Sequence, residues 1–282
     1  MVNREAWSYM DNYEMLIKEN LEQYDAEERE MLILTGEDSV GAGLLKDDLW
    51  QPGVFSLATI DIETNTFISD KIRLRWLAKG SERKGWIYDL KPLTTYRIKA
   101  RHIKEECKNP GILNEVYYLT SMIEREVSDD RLEQALEEYK KPKYLTVCDL
   151  GEFELEKVYG WYAKDINLSG ETCRVLLECD PAEEGNADVA KNAFEKIYSN
   201  FEEWNLKIKK FAAGEMTDLA NDWAEEGEEI TEEEFINRLK VHELWMNPTG
   251  GYSIAYYDDD MFAGHYVTVE GDDVDSRNYA HL

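Results

Sequence analysis

The densest run of side chains able to do chemistry is Asp258-Asp259-Asp260-Met261-Phe262-Ala263-Gly264-His265, where three carboxylates precede a turn and an imidazole follows it. Carboxylates and histidine are common hard-metal ligands and general bases, so Asp258, Asp260 and His265 suggest a metal-assisted hydrolase, with Asp259 beside them. Spacing excludes an EF-hand. Counting from Asp259, Gly264 and Glu270 fall at the sixth and twelfth positions, but Met261 and Ala263 take the third and fifth, where oxygen ligands are needed. The plainer reading is an acidic hairpin loop whose Asp side chains cap their own backbone, and the residue types favour it.

A second candidate lies in the first half. Residues 71–108 hold twelve Lys and Arg against four Asp and Glu, a local +8 in a chain whose net charge is −28. On a strand, the period of two sends Ile72, Leu74 and Trp76 to one side and Lys71, Arg73 and Arg75 to the other. The same period separates Tyr96, Ile98 and Ala100 from Arg97, Lys99 and Arg101. If the two strands are neighbours, these six cations form one basic face. On a small barrel such a face could hold an acidic partner or a single nucleic-acid strand, with Trp86 and Tyr88 available for stacking. The aromatics of these strands go with the apolar side, however, and residues 149–282 carry −21. A solvated or internally paired face is therefore the plainer expectation, a protein partner the next, and nucleic acid the last.

Other catalytic patterns are missing. The sequence has no G-x-S-x-G, no H-E-x-x-H, no P-loop and no Cys/His zinc spacing. Gly41-Ala42-Gly43 lacks the third glycine and the preceding apolar strand of a phosphate loop. His102, His242 and His281 are isolated and read as structural imidazoles. Cys107, Cys148, Cys173 and Cys179 form no C-x-x-C pair and read as reduced, mostly buried thiols. A strand over 172–179 would put Cys173, Val175, Leu177 and Cys179 on one face, hence in a core. No catalytic residue, metal ligand set or cofactor is assigned.

The elements that must position these side chains read as α+β. With 43% hydrophobic and 12% aromatic residues the chain can bury cores despite 33% charge, and 282 residues suggest two domains. No window approaches about 18 consecutive apolar residues, and Met1 to Tyr13 carries acidic residues where a secretory signal would be basic and apolar, so a cytoplasmic setting away from membranes is expected. The net charge opposes contact with bare nucleic acid or anionic membrane through the bulk surface.

The first domain, residues 1–148, reads as two short helices followed by an antiparallel meander or small barrel. Trp7, Met10, Tyr13, Leu16 and Ile17 mark the first helix, and a capping box of Asp25 and Glu28 suggests a second through Leu34. Gly36 to Gly53 reads as turns, and strands are expected over 54–62, 67–77, 95–103 and 115–127. A helix over 129–141 ends at Pro142, and 144–148 returns as a strand. The acidic second domain, residues 149–282, reads as a hairpin of 153–162 with 172–179, then a long helix whose apolar stripe runs Ala190, Phe194, Ile197, Phe201, Trp204, Ile208 and Phe211. Two shorter helices follow, one at Met216 to Trp223 and one capped by Thr231 and Glu234. Strands over 241–246, 252–257 and 265–269 close a C-terminal meander, and the last dozen residues read as loosely held.

Several strings of this second half, in order, are Gly151-Glu152-Phe153-Glu154-Leu155, Gly160-Trp161-Tyr162, Phe201-Glu202-Glu203-Trp204, Phe211-Ala212-Ala213, Leu219-Ala220-Asn221-Asp222-Trp223, Ile230-Thr231-Glu232-Glu233-Glu234-Phe235 and Asp260-Met261-Phe262-Ala263-Gly264-His265. Over roughly 149–272 this series resembles an uncharacterised bacterial family, the domain of unknown function twenty-two sixty-two. The resemblance implies a bacterial cytoplasmic protein and supplies no activity, ligand or catalytic residue. The expectation is an interaction module for a protein partner with a basic surface, its specific form being an immunity protein that neutralises a toxin. A metal-assisted hydrolase and a nucleic-acid binder remain as alternatives.

Overall fold

The computed structural model describes residues 14–109, 115–183, 185–224, 228–273 and 278–282. The fold is α+β. The chain divides into two compact units, Met1–Lys141 and Pro142–Leu282.

The first unit is a small closed barrel. Its strands are β1 (Arg29–Thr35), β2 (Gly41–Lys46), β3 (Leu49–Asp61), β4 (Thr66–Ile68), β5 (Arg73–Arg75), β6 (Ala78–Lys79), β7 (Thr95–His102) and β8 (Val116–Arg125). Hydrogen bonding runs β1–β7–β8–β5–β3 and returns from β3 to β1, so five strands close on themselves and leave no edge among them. The β5–β8 pair is parallel. The thirteen-residue β3 can serve several partners because different stretches of it pair with β1, β5 and the β2 hairpin. Met31, Ile33, Val54, Leu74, Trp76, Ile98 and Leu119 fill the interior, and the Trp76 indole N–H donates to the Trp86 carbonyl at 2.7 Å. That bond removes the penalty of burying a polar ring N–H.

Outside the barrel, helix α2 (Asp130–Lys140) lays Leu132 on Leu34, Ala58 and Ile60. The Asp129 carboxylate starts this helix by accepting from the Arg131 amide at 3.0 Å. The two-sided burial explains a correction. Asp25 to Leu34 is not a second helix: residues 29–35 are β1, with Met31 and Ile33 facing the barrel and Leu34 facing α2. A strand buried on both faces loses its alternation and reads like a helix segment. Of the first helix, α1, residues 14–21 are described, and Trp7, Met10 and Tyr13 lie outside the described residues. The turn-rich stretch 36–53 contains β2 and the start of β3, and the expected strand 67–77 is broken into β4 and β5.

The second unit is one eight-stranded sheet in the order β16-β15-β14-β13-β12-β11-β10-β9. Its strands are β9 (Tyr144–Val147), β10 (Gly151–Glu156), β11 (Trp161–Leu168), β12 (Glu171–Glu178), β13 (Lys240–Met246), β14 (Tyr252–Tyr257), β15 (Tyr266–Gly271) and β16 (Asn278–His281). The helices α3 (Asp188–Ser199), α4 (Phe201–Trp223) and α5 (Glu232–Arg238) form the crossover between β12 and β13, the one parallel pair of this sheet. They cover one face, where Phe153, Cys173, Val175, Phe194, Ile208, Phe235 and Leu244 meet in a single core. Thr231 and Glu234 form the expected capping box of α5.

Here too the sequence reading needs amendment. The strand expected over 153–162 is two strands, β10 and β11, reversed through residues 157–160, and the hairpin partner of β12 is β11. The long helix breaks at Asn200, and the stretch after it runs unbroken to Trp223, so the helix expected at Met216 is the end of α4. A continuous stripe hides such a break because both pieces bury the same face. Residues 278–281, expected to be loosely held, pair with β15. Strand β9, placed by sequence before a boundary near Asp149, pairs with β10.

Candidate functional site

The acidic loop joins β14 to β15. Asp258 is buried, and both its carboxylate oxygens point back into the loop: Oδ2 accepts from the Phe262 amide at 2.6 Å and Oδ1 from the Asp260 amide at 3.2 Å. Asp259 and Asp260 take left-handed backbone angles, which short polar side chains tolerate, and are exposed. Asp259 is held from α5 by Arg238, whose guanidinium donates to its carbonyl at 2.6 Å and lies 3.4 Å from its carboxylate. His265 is exposed, its ring edge-on to Trp223. Asp258 is therefore the internal cap of the turn, and among the described residues no group of three His, Cys, Asp or Glu side chains is placed to hold a metal ion.

The basic strands are not neighbours. β8 lies between β7, which carries Arg97, Lys99 and Arg101, and β5, which carries Arg73 and Arg75. Burial alternates as the period requires, with Ile72, Leu74, Trp76, Tyr96, Ile98 and Ala100 inside. Arg97 is taken up by Glu30, and Arg101 by Glu28 at 3.2 Å. Lys71 and Lys99 are exposed. The interposed strand also supplies an aromatic on this face: Tyr118 is in register with both Arg101 and Arg75, and Tyr24 packs against it with ring centroids 5.2 Å apart. Burial pushes the Tyr118 hydroxyl up to about 12. The Arg75 and Arg73 charges oppose the burial that pushes the Tyr24 hydroxyl up, and Arg73 sits 5.4 Å over the Phe55 ring. Pattern reading missed Tyr24, Phe55, Tyr118 and both glutamates because the signal is cross-strand register, which the sequence does not carry. The remaining histidine of this unit, His102, bonds Glu115 at 2.5 Å and stands edge-on to Tyr117.

A third surface was not anticipated. The face of the C-terminal sheet opposite the helices carries Glu152, Glu154 and Glu156 from β10, Trp161 and Asp165 from β11, Arg174 and Glu178 from β12, Glu243 and Trp245 from β13, Tyr257 from β14, and Tyr266 and Glu270 from β15. Seven carboxylates thus stand against Arg174, with Lys240 at the margin. Arg174 is shared between Glu156 and Asp165. One register row reads Glu154, Ala163, Leu176, Trp245, Ser253 and Glu270, which places an apolar centre between acidic flanks. The Trp245 indole N–H is buried with no acceptor among the described residues. Burial pushes the Glu178 carboxyl above its ordinary value. A bulge between Val241 and Glu243 brings His242 between the exposed rings of Tyr257 and Tyr266, 4.5 and 4.6 Å away. The available signal was the alternation Trp161, Ala163, Asp165 against Tyr162 and Ile166, obscured because β11 had been merged with β10.

Two family models match the chain. Residues 148–282 match DUF2262, described as an uncharacterized protein conserved in bacteria. Residues 17–139 match DUF7021, a domain of unknown function. No curated protein and no solved structure matches.

Proposed function

We propose that the chain is a protein-interaction module whose working surface is the open face of the C-terminal sheet and whose partner presents a basic surface. The observation that carries this reading is the one-sided covering of that sheet: helices bury one face, while the other displays Trp161, Trp245, Tyr257 and Tyr266 among seven carboxylates. Partly buried aromatics are the residues that anchor protein interfaces, and carboxylates around them steer a cationic partner and set its register. The unpaired Trp245 N–H would gain an acceptor on docking. The specific form of this reading is immunity: the acidic face occupies the basic cleft of a toxin and blocks it. Among the described residues no helix is long and apolar enough to cross a membrane.

The test is affinity capture from host extract at low salt on immobilised wild type and on a Glu154→Lys, Glu243→Lys, Trp245→Ala variant. A captured protein that salt releases and the variant does not hold is the expected result. Equal capture by both proteins would overturn the assignment of the face, and a captured nuclease or other toxin inhibited by the wild type would establish the immunity form.

A further inference from the structure

The four arginines of the basic strands differ in one respect. Arg97 and Arg101 have Glu30 and Glu28 as counter-ions, whereas among the described residues no carboxylate stands within ion-pair distance of Arg73 or Arg75. Both are half-buried on the same side of β5, two residues apart, so two like charges face one another in a partly desolvated place. Burial, and then Arg75, hold Arg73 below its ordinary value. Their neighbours are aromatic: Phe55 lies beneath Arg73, and Tyr118, in register with Arg75, packs against Tyr24, whose hydroxyl feels the Arg75 charge. The Arg75 Nε is buried and has no acceptor among the described residues. The stem of Arg75 lies over Gly53, where a Cβ would come within 2.9 Å of the Leu74 carbonyl, so glycine is what lets β3 and β5 approach so closely there.

A pair of unneutralised guanidinium forks with an orphan N–H is arranged for an anion, and the planar fork matches phosphate oxygens two at a time. Three features select a nucleic-acid phosphate over the carboxylates of an acidic peptide. Phe55 and Tyr118 are partly buried rings on this side of the barrel, and their exposed edges offer stacking surface to bases. The site lies on β3 and β5, the second and third strands of the five that close the barrel, and five-stranded barrels of the OB type take oligonucleotides on that face. Finally, a chain carrying −28 can favour a polyanion only at a small local site, which two arginines provide. We infer that Arg73 and Arg75, framed by Tyr24, Phe55 and Tyr118, bind two backbone phosphates of a single nucleic-acid strand. This site is separate from the acidic sheet face and stands or falls without it.

Fluorescence anisotropy of a labelled oligothymidine strand titrated with the full chain tests the inference. With two phosphates neutralised, the affinity should fall with salt at a log–log slope of about −1.4. Arg73→Gln/Arg75→Gln should weaken binding by about tenfold or more. Arg73→Lys/Arg75→Lys, which keeps the charge and loses the fork, should fall between. Glu28→Gln/Glu30→Gln frees Arg101 and Arg97 and should tighten binding and steepen the slope. No wild-type binding, binding of polyglutamate but not of the strand, or unchanged affinity in a folded Arg73→Gln/Arg75→Gln protein overturns the inference. If that variant does not fold, a Glu28→Gln/Glu30→Gln protein that binds no more tightly than wild type does so instead.

Discussion

In the barrel, charged side chains are largely answered from within the same unit: Glu30 takes Arg97, Glu28 takes Arg101, and Glu115 is shared by His102 at 2.5 Å and Lys108 at 3.0 Å. On the open face of the C-terminal sheet seven carboxylates share Arg174 and a marginal lysine. The difference follows from closure. A barrel spends its inner face on the core and much of its outer face on α2 and the segment around Tyr24, so its cations sit beside its own acids. A sheet covered by its own helices on one side has a second face that its core does not use, and there like charges can accumulate. The net charge of −28 is thus a poor description of either surface.

The largest effect that would test this contrast is a pair of tryptophan truncations. Trp76→Ala removes a fully buried ring and its bond to Trp86 from the barrel and should cost about 3–5 kcal/mol in urea unfolding. Trp245→Ala, on the open face, should cost much less while abolishing partner capture. Comparable losses of stability would mean that the sheet face is structural. Next in size is Asp258→Ala, which strands the buried Phe262 amide and should cost about 1–3 kcal/mol, whereas Asp260→Asn, which keeps a side chain suited to the left-handed backbone, should leave the unfolding midpoint unchanged. Equal effects would return the acidic loop to the list of functional sites.

Smaller still are two pH effects of opposite sign. His102, then Lys108, hold the Glu115 carboxyl below its ordinary value, so its stabilisation is present above the unfolded value near about 4.3 and is lost as pH falls through the lower folded value. Burial raises Glu178, so its ionised form costs stability at neutral pH and the cost disappears as pH falls through the raised value. Glu115→Gln should therefore lower, and Glu178→Gln raise, stability at neutral pH, each by about a few tenths of a kcal/mol for such solvent-screened groups, with the differences vanishing in acid. Urea midpoints at neutral and acidic pH check both. Smallest is Glu30→Gln, worth about 0.2 kcal/mol and erased by high salt.

Local patterning carried a good part of the fold. The helix 130–140, the capping box at Thr231, the buried face of Cys173, Val175 and Leu177, and the strands 240–246 and 252–257 were legible because a single period or cap specifies each. The self-capping of Asp258 was likewise readable from short polar side chains at a turn. The strand β1 was not, since burial on both faces erases the period that distinguishes it from a helix. The break at Asn200 was not, since one apolar stripe serves both helices.

The sequence by itself determined which residues alternate, which segments turn, and that cations gather at 71–108 in an otherwise acidic chain, because these depend on neighbours a few positions apart. Only the tertiary structure decided who meets across strands. It set β8 between β7 and β5, so Tyr118 interrupts the basic face. It brought Glu28 and Glu30 to Arg101 and Arg97 but, among the described residues, set no carboxylate within ion-pair distance of Arg73 or Arg75, and it gathered the helices of the second unit on one face of its sheet. Register and closure pair residues far apart in the chain, and no local period encodes them.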